Sequence, residues 1–243
     1  MKTLILLAAL ALPVHAAFSQ INNTPAGINA QRNLQVLGED GNSTPVQLFD
    51  NRYEGVKGSP YFLENWGKGS ITVNNVTVEG VQLKYNVFKN LLLYINAKGQ
   101  PYETSLNGIH QFEIQDSLTS QKYVFKRLPP LGATDTELAH RLVLSLYEGQ
   151  QLKLVMVPTK VFLKANYRGA YSAHKAHDEI RDEAVFYLIG PDDAVSKVKL
   201  NKKNLLKALP GKQEQVQEFM AKQQVDANTA EGWKKVLAYY EGL

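Results

Sequence analysis

The sequence predicts a mainly β protein, an antiparallel meander forming a sandwich or partly closed barrel, with a short C-terminal helical cap that makes it α+β overall. Three observations carry this. Apolar residues alternate with polar ones through most of the chain, the pattern of half-buried strands. Turn signals interrupt that alternation at short intervals, leaving no room for the helix that an α/β fold needs between successive strands. After Leu200 the apolar period lengthens to that of a helix.

Residues 1–19 read as a secretory signal peptide. Lys2 supplies the positive start, an apolar run extends from Thr3 to Val14 with a break at Pro13, and the small residues Ala16, Ala17 and Ser19 follow. Cleavage after Ala16 or after Ser19 fits this pattern. The run is about twelve residues, short of the ~20 that cross a bilayer. The expectation is export to the periplasm, the outer-membrane surface or the extracellular space, with no transmembrane segment in the mature chain. Residues 20–44 lack a period and are rich in Asn, Gly, Thr, Ser and Pro, so they read as a flexible arm. Their one apolar cluster, Leu34, Val36 and Leu37, has the makings of a strand.

Residues 45–200 form the expected β-domain of about ten strands. Period-two alternation runs through Ile71 and Val73, through Val81, Leu83, Tyr85 and Val87, and through Phe112 and Ile114. It resumes from Leu138 by way of His140, Leu142 and Leu144 to Leu146, and again at Leu152, Leu154 and Met156. Turns fall at Asn74-Asn75, Ala97-Lys98-Gly99, Asn107-Gly108, Glu148-Gly149 and Gly190-Pro191-Asp192-Asp193, with Asn107-Gly108 the sharpest hairpin signal. Val76 and Val78 share one parity and Val81 and Leu83 the other, which predicts a β-bulge or a turn at Gly80. Pro129-Pro130 ends a strand run, and residues 166–181 are the longest stretch without β pattern.

Residues 201–243 predict three helices packed on the β-domain. The apolar stripes are Leu205, Leu206 and Leu209, then Val216, Phe219 and Met220, then Trp233, Val236, Leu237 and Tyr240. Pro210-Gly211 and residues 225–229 separate them. Helices this short are marginal alone in water, so each stripe needs a surface to cover.

The segment Tyr53-Glu54-Gly55-Val56-Lys57-Gly58-Ser59-Pro60-Tyr61, with Trp66 and the strand from Val81 to Asn86 after it, resembles a widespread group of secreted proteins from Bacteroidetes-type bacteria. The tail resembles the C-terminal end of that group at Lys202-Lys203-Asn204-Leu205-Leu206 and at Leu237-Ala238-Tyr239-Tyr240. The resemblance implies export and this fold, and brings no activity or catalytic residues with it.

Composition narrows the chemistry. The chain has 243 residues, 44% hydrophobic and 21% charged, and no cysteine, which removes disulfides, thiolate-bound zinc, iron–sulfur clusters and thiol nucleophiles. A G-x-S-x-G elbow, a phosphate-binding loop and an HExxH motif are all lacking. The sequence therefore assigns no catalytic residues, metal ligands or cofactor, and a non-catalytic binding or structural module of the bacterial envelope is the leading expectation. Two alternatives stand beside it. One is a metal-dependent hydrolase built on residues 174–183, where His174 and His177 lie among Asp178, Glu179, Asp182 and Glu183. The other is a barrel carrier of a small apolar ligand.

Four aromatics, Tyr53, Tyr61, Phe62 and Trp66, are clustered in a connection held by the Gly58-Ser59-Pro60 turn. They fit a ligand-binding platform for an envelope glycan or protein, or a plug for one end of the β-domain. His140, on the apolar parity of its strand, reads as a hydrogen-bonded core histidine. The net charge of +4 resides in residues 195–243, which hold nine lysines against five acids. Lys197, Lys199, Lys202, Lys203, Lys207 and Lys212 form the expected basic patch. Export argues against nucleic acid as its partner and leaves loose attraction to an anionic membrane surface.

Overall fold

The computed structural model describes residues 43–45, 53, 55–73, 76–96, 98–165 and 177–243. The predicted signal peptide, most of the predicted arm, the Asn74-Asn75 turn, Ala97 and His174 lie outside the described residues. Within them the chain is mainly an antiparallel sheet of eleven strands with helices at its C-terminal end. The strands are β1 (Ser43–Pro45), β2 (Gly67–Val73), β3 (Val76–Asn86), β4 (Leu91–Ile95), β5 (Pro101–Ser105), β6 (Ile109–Gln115), β7 (Lys122–Lys126), β8 (Val143–Glu148), β9 (Lys153–Leu163), β10 (Glu179–Ile189) and β11 (Val195–Val198). Their spatial order is β1-β5-β4-β3-β2-β6-β7-β8-β9-β10-β11, and the sheet is open.

The meander holds in two runs, β2 to β5 and β6 to β11, joined by a single jump. Leu106, Asn107 and Gly108 connect β5 to β6 although β4, β3 and β2 lie between those strands. Four neighbour spacings in a flat sheet measure about 19 Å, whereas four residues of extended chain reach at most about 14 Å. The sheet must therefore fold over, and β3 is the strand that turns the corner. Its residues from Val76 to Leu83 pair with β2, and those from Leu83 to Asn86 pair with β4. The Asn107-Gly108 turn is thus a crossing between non-neighbours and not a hairpin. Only its glycine has positive φ, at 77°.

Gly80 is the bulge that the broken alternation predicts. Gly69 pairs with Val81 and Ser70 with Glu79, so Gly80 is left over, at a φ of 73° that side-chain-bearing residues rarely adopt. With the phase reset there, Val78, Val81, Leu83 and Tyr85 are all buried. The main core lies inside the fold of the sheet. Ile71, Leu83, Tyr85, Leu92, Phe112, Ile114, Phe125 and Leu142 are each at most 1% exposed. The Tyr85 ring meets Phe112 at 5.3 Å and Phe125 at 5.2 Å, so β3 packs directly on β6 and β7.

One predicted strand is corrected. The alternation from Leu138 to Leu142 forms no strand, because the chain enters helix α1 (Pro129–Thr134) and then a 3-10 turn (Thr136–His140) before β8 begins at Val143. Two prolines at the start of α1 fit its first turn, where no N–H partner is needed, and the Asp135 carboxylate caps the 3-10 turn by accepting from Glu137 N–H. His140 consequently lies exposed at the end of that turn and not in the core. Leu131 and Leu138 cover the outer face of β8, β9 and β10, where Val143, Val155, Val157, Tyr187 and Ile189 are buried.

The C-terminal helices are α2 (Lys202–Ala208), α3 (Gln213–Lys222) and α4 (Ala230–Glu241). Asn201 and Thr229 start α2 and α4, each accepting from the N–H three residues on. The predicted stripes face one shared core, in which Leu205, Leu209, Val216, Trp233, Val236 and Leu237 are fully buried against Leu152, Leu154 and Leu188 of the sheet.

Candidate functional site

The seam between sheet and cap contains a cavity of about 530 Å³. Two strands, two helices and the turns between them build it. Its wall includes Leu152 in the turn just before β9, Leu188 near the end of β10 and the strand β11. The helix α2 contributes Asn204, Lys207 and Ala208, and Pro210 and Tyr240 complete it. The spacing of 204, 207 and 208 puts those three side chains on one helix face. Pairing of Leu188 with Ser196 and of Phe186 with Val198 aligns Ser196 and Val198 with the same sheet face.

Tyr240 is held firmly. Its hydroxyl donates to Pro210 C=O at 3.2 Å, and the Lys212 ammonium lies 5.2 Å from its ring centroid. The next residue, Glu241, locks the end of α4 to the β8–β9 turn. Its carboxylate accepts from Tyr147 hydroxyl at 2.8 Å and from the backbone N–H of Gln150, Gln151 and Leu152 at 3.0, 2.8 and 2.7 Å. Burial raises the Glu241 pKa, but these four donors outweigh it and hold the carboxyl below its usual range. Burial and the same contact push the Tyr147 phenol up to about 12. Gly149 leaves room for this contact, since a Cβ there would come within 1.7 Å of a Glu241 oxygen and displace the carboxylate. Gln151 and Leu152 also line the cavity, so the lock and the cavity share a wall.

The cavity has a positive bias. Lys207 is among its lining residues and no Asp or Glu is, while Lys197 borders it from a strand position whose side chain takes the opposite sheet face. Asp192 and Asp193 line a separate, smaller hollow of about 270 Å³ that shares Gln151, Gly190 and Pro191 with it. The predicted basic patch is divided by the fold. Lys197 pairs across from Tyr187, so strand alternation sends its side chain to the opposite sheet face. Lys199, Lys202 and Lys203 are exposed around the start of α2, Lys207 stands at the cavity mouth, and Lys212 covers Tyr240.

The four loop aromatics occupy different surroundings. Their connection is tied down at both ends. Lys57 N–H donates to Asp178 C=O and Lys57 C=O accepts from Ile180 N–H, both at 2.8 Å, while Phe62 N–H donates to Tyr85 C=O at 2.9 Å. Phe62 packs into the core against Tyr123 and Phe125, each at 5.0 Å. Tyr61 lies under the Lys84 ammonium at 4.1 Å. Tyr53 meets Phe88 edge-on at 6.4 Å, and Trp66 is half-buried just before β2. Of the four, Phe62 packs against the main core, and Tyr53, Tyr61 and Trp66 are half-buried.

Of the hydrolase segment, Glu179, Asp182 and Glu183 lie on β10, and His177 is exposed just before it. Among the described residues no group of three His, Asp or Glu side chains is arranged to hold a metal ion. Leu83, Tyr85, Leu142 and Leu144, which face the interior named for an apolar-ligand carrier, are all buried in the main core. Asn204, Ser196, Gln151 and Tyr240 escaped sequence reasoning because they come from separate elements and share no motif. Among the lining residues, Lys197 and Lys207 are the ones the sequence marks, by their charge. No helix among the described residues is long and apolar enough to cross a membrane. No protein family, curated protein or solved structure matches this chain.

Proposed function

We propose that the protein is an exported, non-catalytic binding module of the bacterial envelope, and that its ligand site is the seam cavity rather than the loop aromatics. The observation that carries this reading is the cavity itself. It is concave, its volume is in the usual range for small-molecule sites, and apolar walls combine with a few polar groups from a turn, a strand and two helices. The exposed His110, His140 and His177 all lie outside its lining, so what converges there is suited to holding a ligand more than to moving protons. The signal-peptide reading of residues 1–19 supports the envelope location.

The test is extraction of small molecules that co-purify with protein recovered from its own host, identified by mass spectrometry, with an Ala208→Trp variant as control. A ligand retained by the unmodified protein and lost from the variant is the expected result. A ligand retained equally by both would remove the cavity from consideration. Fractionation of the same cells checks location, and recovery of full-length, uncleaved protein in the cytoplasm would overturn the export half of the proposal.

A further inference from the structure

Resting on that reading, we infer that the seam cavity takes a small amphiphilic anion, with its anionic head group at Lys207 and its apolar body along Leu152, Leu188 and Val198. The apolar walls set the body. Leu152 and Leu188 are each 6% exposed, and Val198, Ala208, Pro191 and Pro210 continue the surface they begin. A chain of about ten carbons fits comfortably in a pocket of this class.

The head group follows from which polar atoms are already engaged. Tyr240 hydroxyl is donated to Pro210 C=O, and the Asn204 amide N–H to Lys199 C=O at 3.0 Å. The Lys207 ammonium has no carboxylate partner among the described residues. Glu241 follows Tyr240 in the chain, yet its carboxylate is saturated by three N–H donors on the β8–β9 turn and the Tyr147 hydroxyl of β8, and leaves Lys207 uncompensated. Lys212 over the Tyr240 ring adds positive potential to the same wall. Asp192 and Asp193 belong to the neighbouring hollow beyond Gly190 and Pro191, which favours the α2 side for a negative head group. A carboxylate or a phosphate monoester satisfies this chemistry, since a lysine binds either as a point charge.

The probes are decanoate and decyl phosphate, with decanol and decyltrimethylammonium as neutral and cationic counterparts, titrated calorimetrically at low salt into the purified mature protein. Both anions bind under this inference, decanol binds about tenfold more weakly or worse, and the cationic probe does not compete. Lys207→Glu, an exposed substitution that leaves the core intact, weakens the anions about tenfold and leaves decanol unchanged. Preference for decanoate over decyl phosphate, or the reverse, separates a fatty-acid-like from a phosphorylated ligand. Equal affinity for decanoate and decanol, or anion binding unaffected by Lys207→Glu, overturns the anion assignment. Failure of both anions overturns it too, while a co-purifying ligand lost from Ala208→Trp would still uphold the binding module.

Discussion

The Glu241 carboxylate gathers three consecutive backbone N–H groups from a turn some ninety residues upstream and a phenol from the strand before it, so one side chain fixes where the C-terminal helix ends. Several of these donors are near solvent, which limits what the contact is worth. Replacing Glu241 by Gln removes the charge but keeps an acceptor, and should cost about 1–2 kcal/mol in urea unfolding. The Glu241 pKa is lower in the folded protein than its ordinary 4.5. Its contribution is therefore fully present above the unfolded value and disappears as pH falls through the folded one. The unmodified protein should lose stability over that acidic interval more steeply than Glu241→Gln, and parallel profiles would show that the lock contributes nothing. Gly149→Ala pushes a Cβ into the same carboxylate. Because both changes break one contact, the double variant should be clearly less destabilised than the sum of the single ones.

Much of the fold is legible at the level of elements because burial there is periodic. The stripes beginning at Leu205, Val216 and Trp233 became α2, α3 and α4, and the slip of parity near Gly80 became a bulge with the strand correctly phased on both sides. What misled is equally physical. Residues 138–142 alternate like a strand, yet Pro129-Pro130 and the Asp135 cap had already committed the chain to helical turns, leaving only Val143 onward to pair. Asn107-Gly108 has the chemistry of a hairpin, but partner choice is a long-range matter that two residues do not encode. The candidate site was nearly invisible for the same reason, since Leu152, Leu188, Ser196, Asn204 and Tyr240 meet only after a turn, two strands and two helices are in place. Trp233 marks the element on which the cap depends. It is fully buried and its indole N–H donates to Ala227 C=O at 2.8 Å. Trp233→Ala should cost about 3–5 kcal/mol in equilibrium unfolding, whereas a loss below 1 kcal/mol would mean that the three helices hold together without it.

At the scale of the molecule, the question is whether the cap is an appendage or part of the fold. Its core is shared. Leu152, just before β9, and Leu154 and Leu188 of the sheet are 6%, 0% and 6% exposed and share one buried cluster with Leu205, Val216, Trp233 and their neighbours. Burying three leucines is worth about 5–9 kcal/mol, comparable with the whole net stability of a typical domain, about 5–15 kcal/mol. The same face continues through Leu146 into the main core, so uncovering it would open the aromatic packing of Tyr85, Phe112 and Phe125 from one side. Glu241 adds a polar tie across the boundary at the β8–β9 turn. A chain ending at Leu200 should therefore fail to give a stable monomer. It should bind a hydrophobic dye, elute as aggregate and lack a cooperative unfolding transition, while the full chain shows one transition with sheet and helix signals lost together. A truncated protein that stays monomeric and unfolds cooperatively would establish the cap as dispensable to the sheet. The seam cavity would then lie between two separable parts and not within one cooperative fold.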